Sequence, residues 1–501
     1  MKNTWTRLLT LTLALIMALS CLALVGCGED TPEQPVGPGT DPGTTPSTPE
    51  EPTGEDYLMS IPKQNYGKTF TFLTDVGEDH IHELYFENEE DALGNTVDTA
   101  IYYRNNRVAE HLGVTFESMT APGRWADRES YLSLMQQSFT AGDQDYQLAS
   151  VYEAFAADGA IKGFYYDINS IDAIDIHSPW YVQSWLENTL INDQIYMILG
   201  DLSYRMWQNM NALYFNKQLA NEIGISDELY TTAQEGNLTW DYIMSYAELV
   251  ASEDGNDIWD QNDTYGMYFH RNVMRALVTY CDIPLTRLND NDEYEICLYN
   301  ERTETIYGEF HNYIWENDAT YVHKEDSYNT AIGLDMFMSD RLLFLPLTLG
   351  YSQDLREMTG SFGILPMPKY TADQEYCSHS NDNFNIFIIP SHTEDAEFCG
   401  TVMDALSAES KYSVIPTYYD VVLKGRTTKD EQSIRMLDII RDNLKFDFSF
   451  AHMNAMGTMW TKFGESLNNE SKTAFKSDYD EMVGGFEEKL ATIMASYWDI
   501  R

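Results

Sequence analysis

Residues 68–75 read Lys-Thr-Phe-Thr-Phe-Leu-Thr-Asp, and they begin the stretch of sequence that decides the fold. Their alternation of β-branched and aromatic residues predicts a strand. Two more strands are predicted over 114–118 (Val-Thr-Phe-Glu-Ser) and 146–151 (Tyr-Gln-Leu-Ala-Ser-Val). Apolar residues at helical spacing predict helices over 96–112 and 128–141, each followed by glycine. The order β-α-β-α-β implies a parallel sheet with right-handed crossovers.

Polar and aromatic residues stand where these strands end. Asp75 closes the first strand, and Tyr152 and Glu153 follow the third. Ligands of open α/β sheets bind beyond the carboxyl ends of the strands. We therefore expect these three residues near a binding site. Later in the chain, residues 211–216, 363–369 and 384–389 are strand-like, Ser391 and Glu394 stand in capping-box register, and the carboxyl third is mostly helical.

The charge balance excludes some partners. The 501 residues carry 31 Lys and Arg against 80 Asp and Glu, a formal net charge of −49. A nucleic-acid backbone requires a basic surface, so nucleic acid is not an expected partner. With 43% hydrophobic residues the chain can still bury a sizeable core.

The amino terminus has the pattern of an export signal. Lys2 and Arg7 precede an apolar run from Leu8 to Leu24. The following Leu24-Val-Gly-Cys27 resembles the lipobox of bacterial lipoproteins, which implies cleavage before Cys27 and lipid on that residue. An uncleaved membrane anchor is the alternative. Residues 1–27 are thus predicted as signal peptide and lipobox, and the Pro-, Gly- and Thr-rich residues 28–60 as a disordered tether.

Several motifs, taken in order, resemble the extracellular solute-binding proteins of ABC importers, in the carbohydrate-binding class that includes maltodextrin-binding protein. The strand-Asn-Lys-helix pattern of residues 213–224 (LYFNKQLANEIG) is followed by Leu-Thr-Trp-Asp at 238–241. Residues 362–369 (FGILPMPK), 417–425 (TYYDVVLKG), 429–433 (KDEQS) and 436–440 (MLDII) also fit.

The resemblance implies a two-lobed α/β fold of the periplasmic-binding-protein type II, with lobes joined by crossing hinge segments. We assign residues 61–205 and 346–410 to the first lobe, and 206–345 and 411–501 to the second. The implied function is capture of a solute, above all a sugar or oligosaccharide, by a monomeric, non-enzymatic protein without a cofactor. Lipid on Cys27 would hold it at the extracellular face of the cytoplasmic membrane, where it would deliver the solute to ABC transporter permease subunits.

A sugar site requires flat aromatic faces together with amides and carboxylates that bind pairs of hydroxyls. Besides Asp75, Tyr152 and Glu153, four aromatic residues are candidates. Tyr204 and Trp207 lie where the chain passes into the second lobe, and Tyr351 follows the strand predicted over 342–347. The class resemblance implies a stacking aromatic at Trp460. For each aromatic residue, ordinary core packing is the alternative, and for Asp75 and Glu153 the alternative is a solvated acid in a loop.

Residues 252–263 (SEDGNDIWDQND) resemble a calcium loop, with Asp254, Asn256, Asp260 and Asp263 at ligand positions. With Ser252 counted as position 1, the loop has Ser at position 1, Asp257 rather than Gly at position 6, and Asp263 rather than Glu at position 12. Because of these departures from the calcium-loop pattern, an acidic surface turn is the alternative.

After the leader, four cysteines remain, namely Cys281, Cys297, Cys377 and Cys399. In an exported chain they are compatible with two disulfides, with Cys281–Cys297 and Cys377–Cys399 as the local pairings, or with four buried free thiols.

Enzymatic motifs are lacking in the sequence: it has no GxSxG, HExxH or Walker loop. With 80 acidic residues, a pair of carboxylates carries little information about glycoside hydrolysis. A secreted glycoside hydrolase and a polysaccharide-binding surface adhesin remain the alternative functions.

Overall fold

The computed structural model describes residues 54–76, 83–289, 293–324, 330–423 and 431–499. The predicted leader, Cys27 and most of the predicted tether lie outside these residues. No helix among the described residues is long and apolar enough to cross a membrane.

The described chain begins with a helix that packs on the folded body. The helix spans Gly54–Ser60, so it overlaps the end of the predicted tether. The Tyr57 and Trp180 rings lie 4.1 Å apart, and the Tyr57 hydroxyl donates a hydrogen bond to Asp404 Oδ2 (3.2 Å). Leu58 is buried beside them. Residues 54–60 therefore belong to the folded part, because Tyr57 and Leu58 supply apolar surface that the proline-rich residues before them lack.

The first sheet has four strands in the order β11-β3-β1-β2, with β1 Lys68–Val76, β2 Val114–Pro122, β3 Leu148–Tyr152 and β11 Asn385–Ile388. β1 pairs in parallel with β2 and with β3, which confirms the predicted parallel sheet, and β11 is antiparallel to β3. The helices Thr96–Leu112 and Arg128–Ala141 connect the parallel strands as predicted. Asn95 caps the first of them by accepting from the Val97 and Asp98 amides.

The second sheet has five strands in the order β10-β4-β9-β5-β8. They span β4 Asn211–Asn216, β5 Tyr265–Phe269, β8 Thr320–Val322, β9 Leu342–Thr348 and β10 Phe362–Leu365. A small hairpin joins β6 Thr286–Leu288 and β7 Tyr294–Ile296.

Strand β10 belongs to the second sheet, although our lobe boundaries put residues 346–410 in the first lobe. It lies antiparallel to β4, with Gly363 opposite Phe215. A Cβ at position 363 would come within 2.1 Å of the Phe215 ring, so only glycine permits this approach. The chain therefore returns to the first sheet later, between β10 and β11.

Helices cover both sheets. The remaining helices span Glu89–Ala92, Glu153–Ile161, Gln183–Thr189, Tyr204–Gln208, Lys217–Glu222, Ser226–Gln234, Trp240–Val250, Arg271–Tyr280, Glu301–Trp315, Ala331–Met338, Ala396–Glu409, Ile415–Leu423, Glu431–Asp442, Phe448–Ala451, Lys462–Leu467 and Lys476–Asp499. Short 3-10 turns occupy Trp125–Asp127, Ile168–Ser170, Leu349–Ser352, Asp354–Glu357 and Met459–Thr461, and Ser410–Val414 is a π-helical segment.

The helix predicted to open at Ser391 begins later. Its N-cap is Asp395, whose side chain accepts from the Phe398 amide, and the helix runs over Ala396–Glu409. Ser391 instead donates to the Gly163 carbonyl at 2.8 Å. The prediction made from the capping-box spacing was wrong here because the Ser391 hydroxyl donates its hydrogen bond to a distant loop instead of capping the helix.

All four cysteines of the described residues are free thiols, which corrects the disulfide alternative. Cys281, Cys377 and Cys399 are buried and Cys297 is half-buried. The Cys297 thiol donates to the Pro284 carbonyl at 3.4 Å. Burial raises the pKa of Cys377 and of Cys399 to about 11, so both thiols are protonated at neutral pH.

Candidate functional site

The chain crosses between the two sheets through segments that pair with each other. Residues 209–211 lead into β4, and residues 379–383 lead into β11. The Asn381 amide donates to the Asn209 carbonyl (3.0 Å), and Asn209 Nδ2 donates to the Asn383 carbonyl (2.8 Å). Asn211 Nδ2 donates to Asn381 Oδ1 at 3.1 Å. These two crossing segments form the floor of a cleft between the lobes.

This interlobe cleft has a volume of about 570 Å³. Its walls come from both sheets and from the carboxyl-terminal helices. The lining residues are Trp125, Tyr152, Asn209, Asn211, His270, Asn272, Arg275, Thr330, Leu347, Thr348, Tyr351, Asn381, Asp382, Asn383, Met453, Thr458, Trp460, Thr461 and Glu465.

Several of the residues that line the cleft lie at or just after the ends of strands, which brings them together. Tyr152 ends β3, and Trp125 follows the end of β2, so the first lobe presents the carboxyl edge of its parallel strands. On the second lobe, His270 follows β5 and Tyr351 follows β9, and these two strands are also parallel. The carboxyl edges of both sheets therefore face the same cleft, which is where α/β proteins bind ligands.

Four aromatic side chains border the cleft. Trp125 is 41% exposed, and the Arg128 guanidinium lies 4.6 Å from its ring centroid. Tyr152 donates from its hydroxyl to Asp382 (3.3 Å), and Tyr351 accepts from the Thr330 hydroxyl (3.0 Å). The cleft thus presents ring faces from both lobes.

Trp460 is the fourth aromatic residue, and it is packed more tightly than the other three. It is only 6% exposed, with Phe450 at 5.1 Å and His379 at 5.3 Å between ring centroids. Its indole Nε1 is buried and has no hydrogen-bond partner among the described residues. Because unpaired buried donors are costly, this nitrogen is suited to donate to a ligand.

An ion pair occupies the wall beside Trp460. Arg275 Nη2 donates to Glu465 Oε1 at 2.5 Å, and Lys462 Nζ lies 2.8 Å from Glu465 Oε2. Partial burial opposes ionisation of Glu465, but Lys462, Thr461 and Arg275 hold its pKa below the ordinary value. Arg275 Nε is buried and has no hydrogen-bond partner in the part of the chain that the structure describes. The guanidinium is therefore fixed by one edge while its Nε–H remains available.

Burial shifts the pKa of two other polar groups of the lining. Burial lowers the pKa of His270 to about 4, so its imidazole is neutral at pH 7. Burial raises the pKa of Asp382, and the Tyr152 hydroxyl and nearby Arg275 oppose that shift.

Of the residues predicted for the site, Tyr152, Tyr351 and Trp460 line the cleft, and the other four do not. Asp75 is fully buried. Its Oδ1 accepts hydrogen bonds from Ser150 and from Asn385 (2.8 Å each), and its Oδ2 lies 3.4 Å from Arg124 Nε. It acts inside the first lobe, by tying β1 to β3 and β11.

Glu153, Tyr204 and Trp207 are also in the interior. Glu153 is 1% exposed, and neither carboxylate oxygen has a hydrogen-bond partner within the described ranges. Burial raises its pKa well above the ordinary value. Trp207 Nε1 donates to the buried Asp201 at 2.9 Å, and Tyr204 packs near Tyr418. All three side chains are buried and do not line the cleft.

The asparagines of the cleft were missed from the sequence. Asn209-Met-Asn211 and Asn381-Asp-Asn383 each precede a strand, β4 and β11 respectively. This repeated Asn-x-Asn signal ahead of two predicted strands could have identified the crossing segments. Arg275 and Asn272 carry no such signal, since they lie within an ordinary helical pattern.

The predicted calcium loop is closed by its own hydrogen bonds. The Asp263 carboxylate accepts from the Asp254 amide (2.8 Å) and the Asp260 amide (2.6 Å). Asn256 Oδ1 accepts from the Ile258 amide at 2.8 Å. Among the described residues, the acidic groups close enough to share an ion are Glu253, Asp254 and Asp263, within 4.8 Å of one another. Asp260 lies outside that group, and calcium binding by Asp254, Asn256, Asp260 and Asp263 remains a prediction.

No protein-family profile matches the chain, and no curated protein sequence matches it. Solved structures are similar over most of the chain. The galacto-N-biose/lacto-N-biose I-binding protein of a Bifidobacterium longum ABC transporter, in complex with lacto-N-biose, is 10% identical and has a TM-score of 0.51. The match covers 86% of this chain and 97% of that one.

Two further structures give the same result. A cyclo/maltodextrin-binding protein complexed with maltotetraose is 12% identical, with a TM-score of 0.50 and coverage of 86% of this chain and 97% of that one. A family 1 extracellular solute-binding protein from Alicyclobacillus acidocaldarius is 10% identical, with a TM-score of 0.50 and coverage of 85% and 98%. The chain therefore has the two-lobed α/β fold of type II solute-binding proteins.

Proposed function

We propose that the chain is the solute-binding component of an ABC importer, and that it captures a neutral saccharide in the interlobe cleft and releases it intact. The observation that carries this proposal is the lining of the cleft, where four aromatic side chains face five asparagines. The similar solved structures named above are binding proteins, and two of them hold saccharides.

The chemistry of the lining suits a ring that carries hydroxyls. Trp125, Tyr152 and Tyr351 offer apolar faces for the C–H face of a pyranose. Asparagine amides can donate and accept at adjacent hydroxyls. The buried Trp460 Nε1–H and Arg275 Nε–H have no acceptor among the residues that the structure describes, and ligand hydroxyl oxygens would supply one. A volume of about 570 Å³ falls within the usual range for small-molecule sites.

Binding would shift the population of lobe arrangements. Trp125 and Tyr152 belong to the first lobe, whereas Arg275 and Tyr351 belong to the second. A ligand touches all of them only when the lobes are close, so it stabilises the closed arrangement by its differential affinity. The closed form would then dock on the permease subunits.

The cellular setting completes the proposal. Export through the predicted leader, with lipid on Cys27, would place the protein at the extracellular face of the cytoplasmic membrane. The solute would be delivered without covalent change, so no catalytic residue is assigned.

A thermal-shift screen against maltose, maltotetraose, lacto-N-biose, cellobiose and xylobiose tests the function. We expect at least one of these saccharides to raise Tm, and the saccharide to be recovered unchanged by mass spectrometry. Cleavage of the saccharide would support a glycoside hydrolase. Unchanged Tm with every saccharide would contradict the proposal.

A pair of matched variants locates the binding. Arg275→Leu removes a guanidinium from the cleft, whereas Arg287→Leu removes one that pairs with Glu295 on the exposed β6–β7 hairpin. Loss of charge-assisted hydrogen bonds predicts roughly tenfold or greater weakening for Arg275→Leu. Arg287→Leu should bind with unchanged Kd. Equal affinities for the two variants would place the saccharide elsewhere.

A further inference from the structure

A second cavity, of about 590 Å³, lies at the edge of the second sheet. It is formed by the loop between helix Trp240–Val250 and β5, by the end of helix Glu301–Trp315, and by strand β8. Strand β8 is the last strand of that sheet. The cavity shares no lining residue with the interlobe cleft.

The loop over residues 252–264 is held rigidly. The Ser252 and Thr264 backbones exchange two hydrogen bonds of 3.0 Å each. Between them, the buried Asp263 carboxylate binds two backbone amides of the loop. Side chains at the tip of this loop are therefore presented in a fixed geometry.

This loop presents a tryptophan to solvent at the cavity. Trp259 is 40% exposed, and its ring lies 5.2 Å from the Tyr265 ring. Tyr265 in turn packs edge-on against Tyr321 at 5.3 Å. Across the cavity, Trp315 is half-buried, and Lys324 Nζ lies 5.2 Å from its ring centroid. A large exposed ring on a rigid loop gains apolar contact only when a ligand covers it.

The polar groups around these rings are acceptors, and the local charge is negative. Asp260, Asp318 and Glu470 line the cavity. Lys324, the one lysine or arginine among the described lining residues, has its Nζ 3.3 Å from Glu470 Oε2. Amides at Asn262, Asn317 and Gln261 add donors and acceptors. Phosphate, sulfate and uronate groups would be repelled, whereas hydroxyls can donate to the carboxylates.

We propose that this cavity is a second carbohydrate site, in which Trp259 stacks on a sugar ring of a neutral glycan chain. The site is open to solvent at the edge of one lobe, so it can hold part of a longer polymer while the interlobe cleft holds a short saccharide. It does not depend on the function of the cleft.

Affinity electrophoresis of the purified protein tests the proposal, in native gels cast with soluble starch, xylan or mixed-linkage β-glucan. We expect retardation of the wild-type protein in at least one polymer. Trp259→Ala should weaken the apparent affinity roughly fivefold or more, as for a central aromatic contact. The matched control is Trp498→Ala, which removes a 53% exposed tryptophan from the carboxyl-terminal helix and should leave retardation unchanged.

Two more arms separate this site from the cleft and from other ligands. The Arg275→Leu variant should still be retarded by the polymer. Added maltotetraose or xylobiose should release the wild-type protein from the polymer, whereas added choline should not. Absence of retardation in all three polymers would overturn the proposal, as would full retardation of Trp259→Ala. Loss of retardation in Arg275→Leu alone would assign the polymer to the cleft, and release by choline would assign the cavity to a cation.

Discussion

Trp125→Ala offers the sharpest test of the cleft, because this ring is the most exposed aromatic group of the lining. The side chain is 41% exposed, and Arg128 covers one of its faces. Of a tryptophan surface of ~250 Å², about 100 Å² is therefore open to solvent. A ligand stacked on the free face would cover about half of that. At ~25 cal/mol per Å² the contact is worth about 1.3 kcal/mol, close to a tenfold change in Kd.

Isothermal titration calorimetry with the saccharide that raises Tm most would measure this change. Trp498→Ala is the matched control, since it removes a similarly exposed tryptophan from a helix that does not line the cleft at that position. Both variants should unfold within about 0.5 kcal/mol of the wild-type protein, because neither leaves a buried cavity. A Kd for Trp125→Ala within twofold of the wild type would refute the stacking, as would an equal loss in Trp498→Ala.

Three further predictions concern stability. Trp460→Ala should lower the free energy of unfolding by about 3–5 kcal/mol in urea denaturation, because it leaves a cavity beside Phe450; unchanged stability would show that the ring is not packed as described. Burial raises the pKa of Glu83 to about 7, so its contribution to stability is present below pH ~4.5 and is lost as pH rises to about 7. The Glu83→Gln variant should therefore show a smaller fall of Tm over this pH range. An equal fall of Tm in the variant and the wild-type protein would contradict this prediction. EDTA should leave Tm unchanged because backbone amides already bind the Asp263 carboxylate, whereas Asp263→Ala should cost about 1.5–3 kcal/mol per bond lost; a large drop in Tm with EDTA would support the calcium loop.

The strands and helices of the first sheet could be predicted from the sequence because their patterns are local. Residues 68–75 alternate, and glycines 113 and 142 follow the helices with positive φ of 64° and 67°. The cap of helix Trp240–Val250 is equally local, since the Thr239 hydroxyl accepts from the Tyr242 amide at 3.3 Å. Such signals depend on neighbours within a few residues.

The site was harder to predict because it depends on contacts between distant segments. Tyr204 and Trp207 precede the crossing segment, as expected, but the indole of Trp207 turns inward to Asp201. Nothing local distinguishes an aromatic residue that lines a cleft from one that packs in a core. Arg275 lines the cleft only because its helix meets the helix of Glu465, which is 190 residues away in the sequence. That pairing is a property of the tertiary fold.

The way in which the described chain enters the body has a mechanical consequence. Tyr57 is fixed to Trp180 and Asp404, which are both parts of the first lobe. A pull applied upstream of residue 54 would therefore load that lobe directly, and closure of the cleft would move the half that carries Arg275 and Tyr351. In a molecule held at a surface, the first lobe would stay in place and the second would move. A pair of fluorophores for distance measurements should therefore have one member on the first lobe and the other on the second.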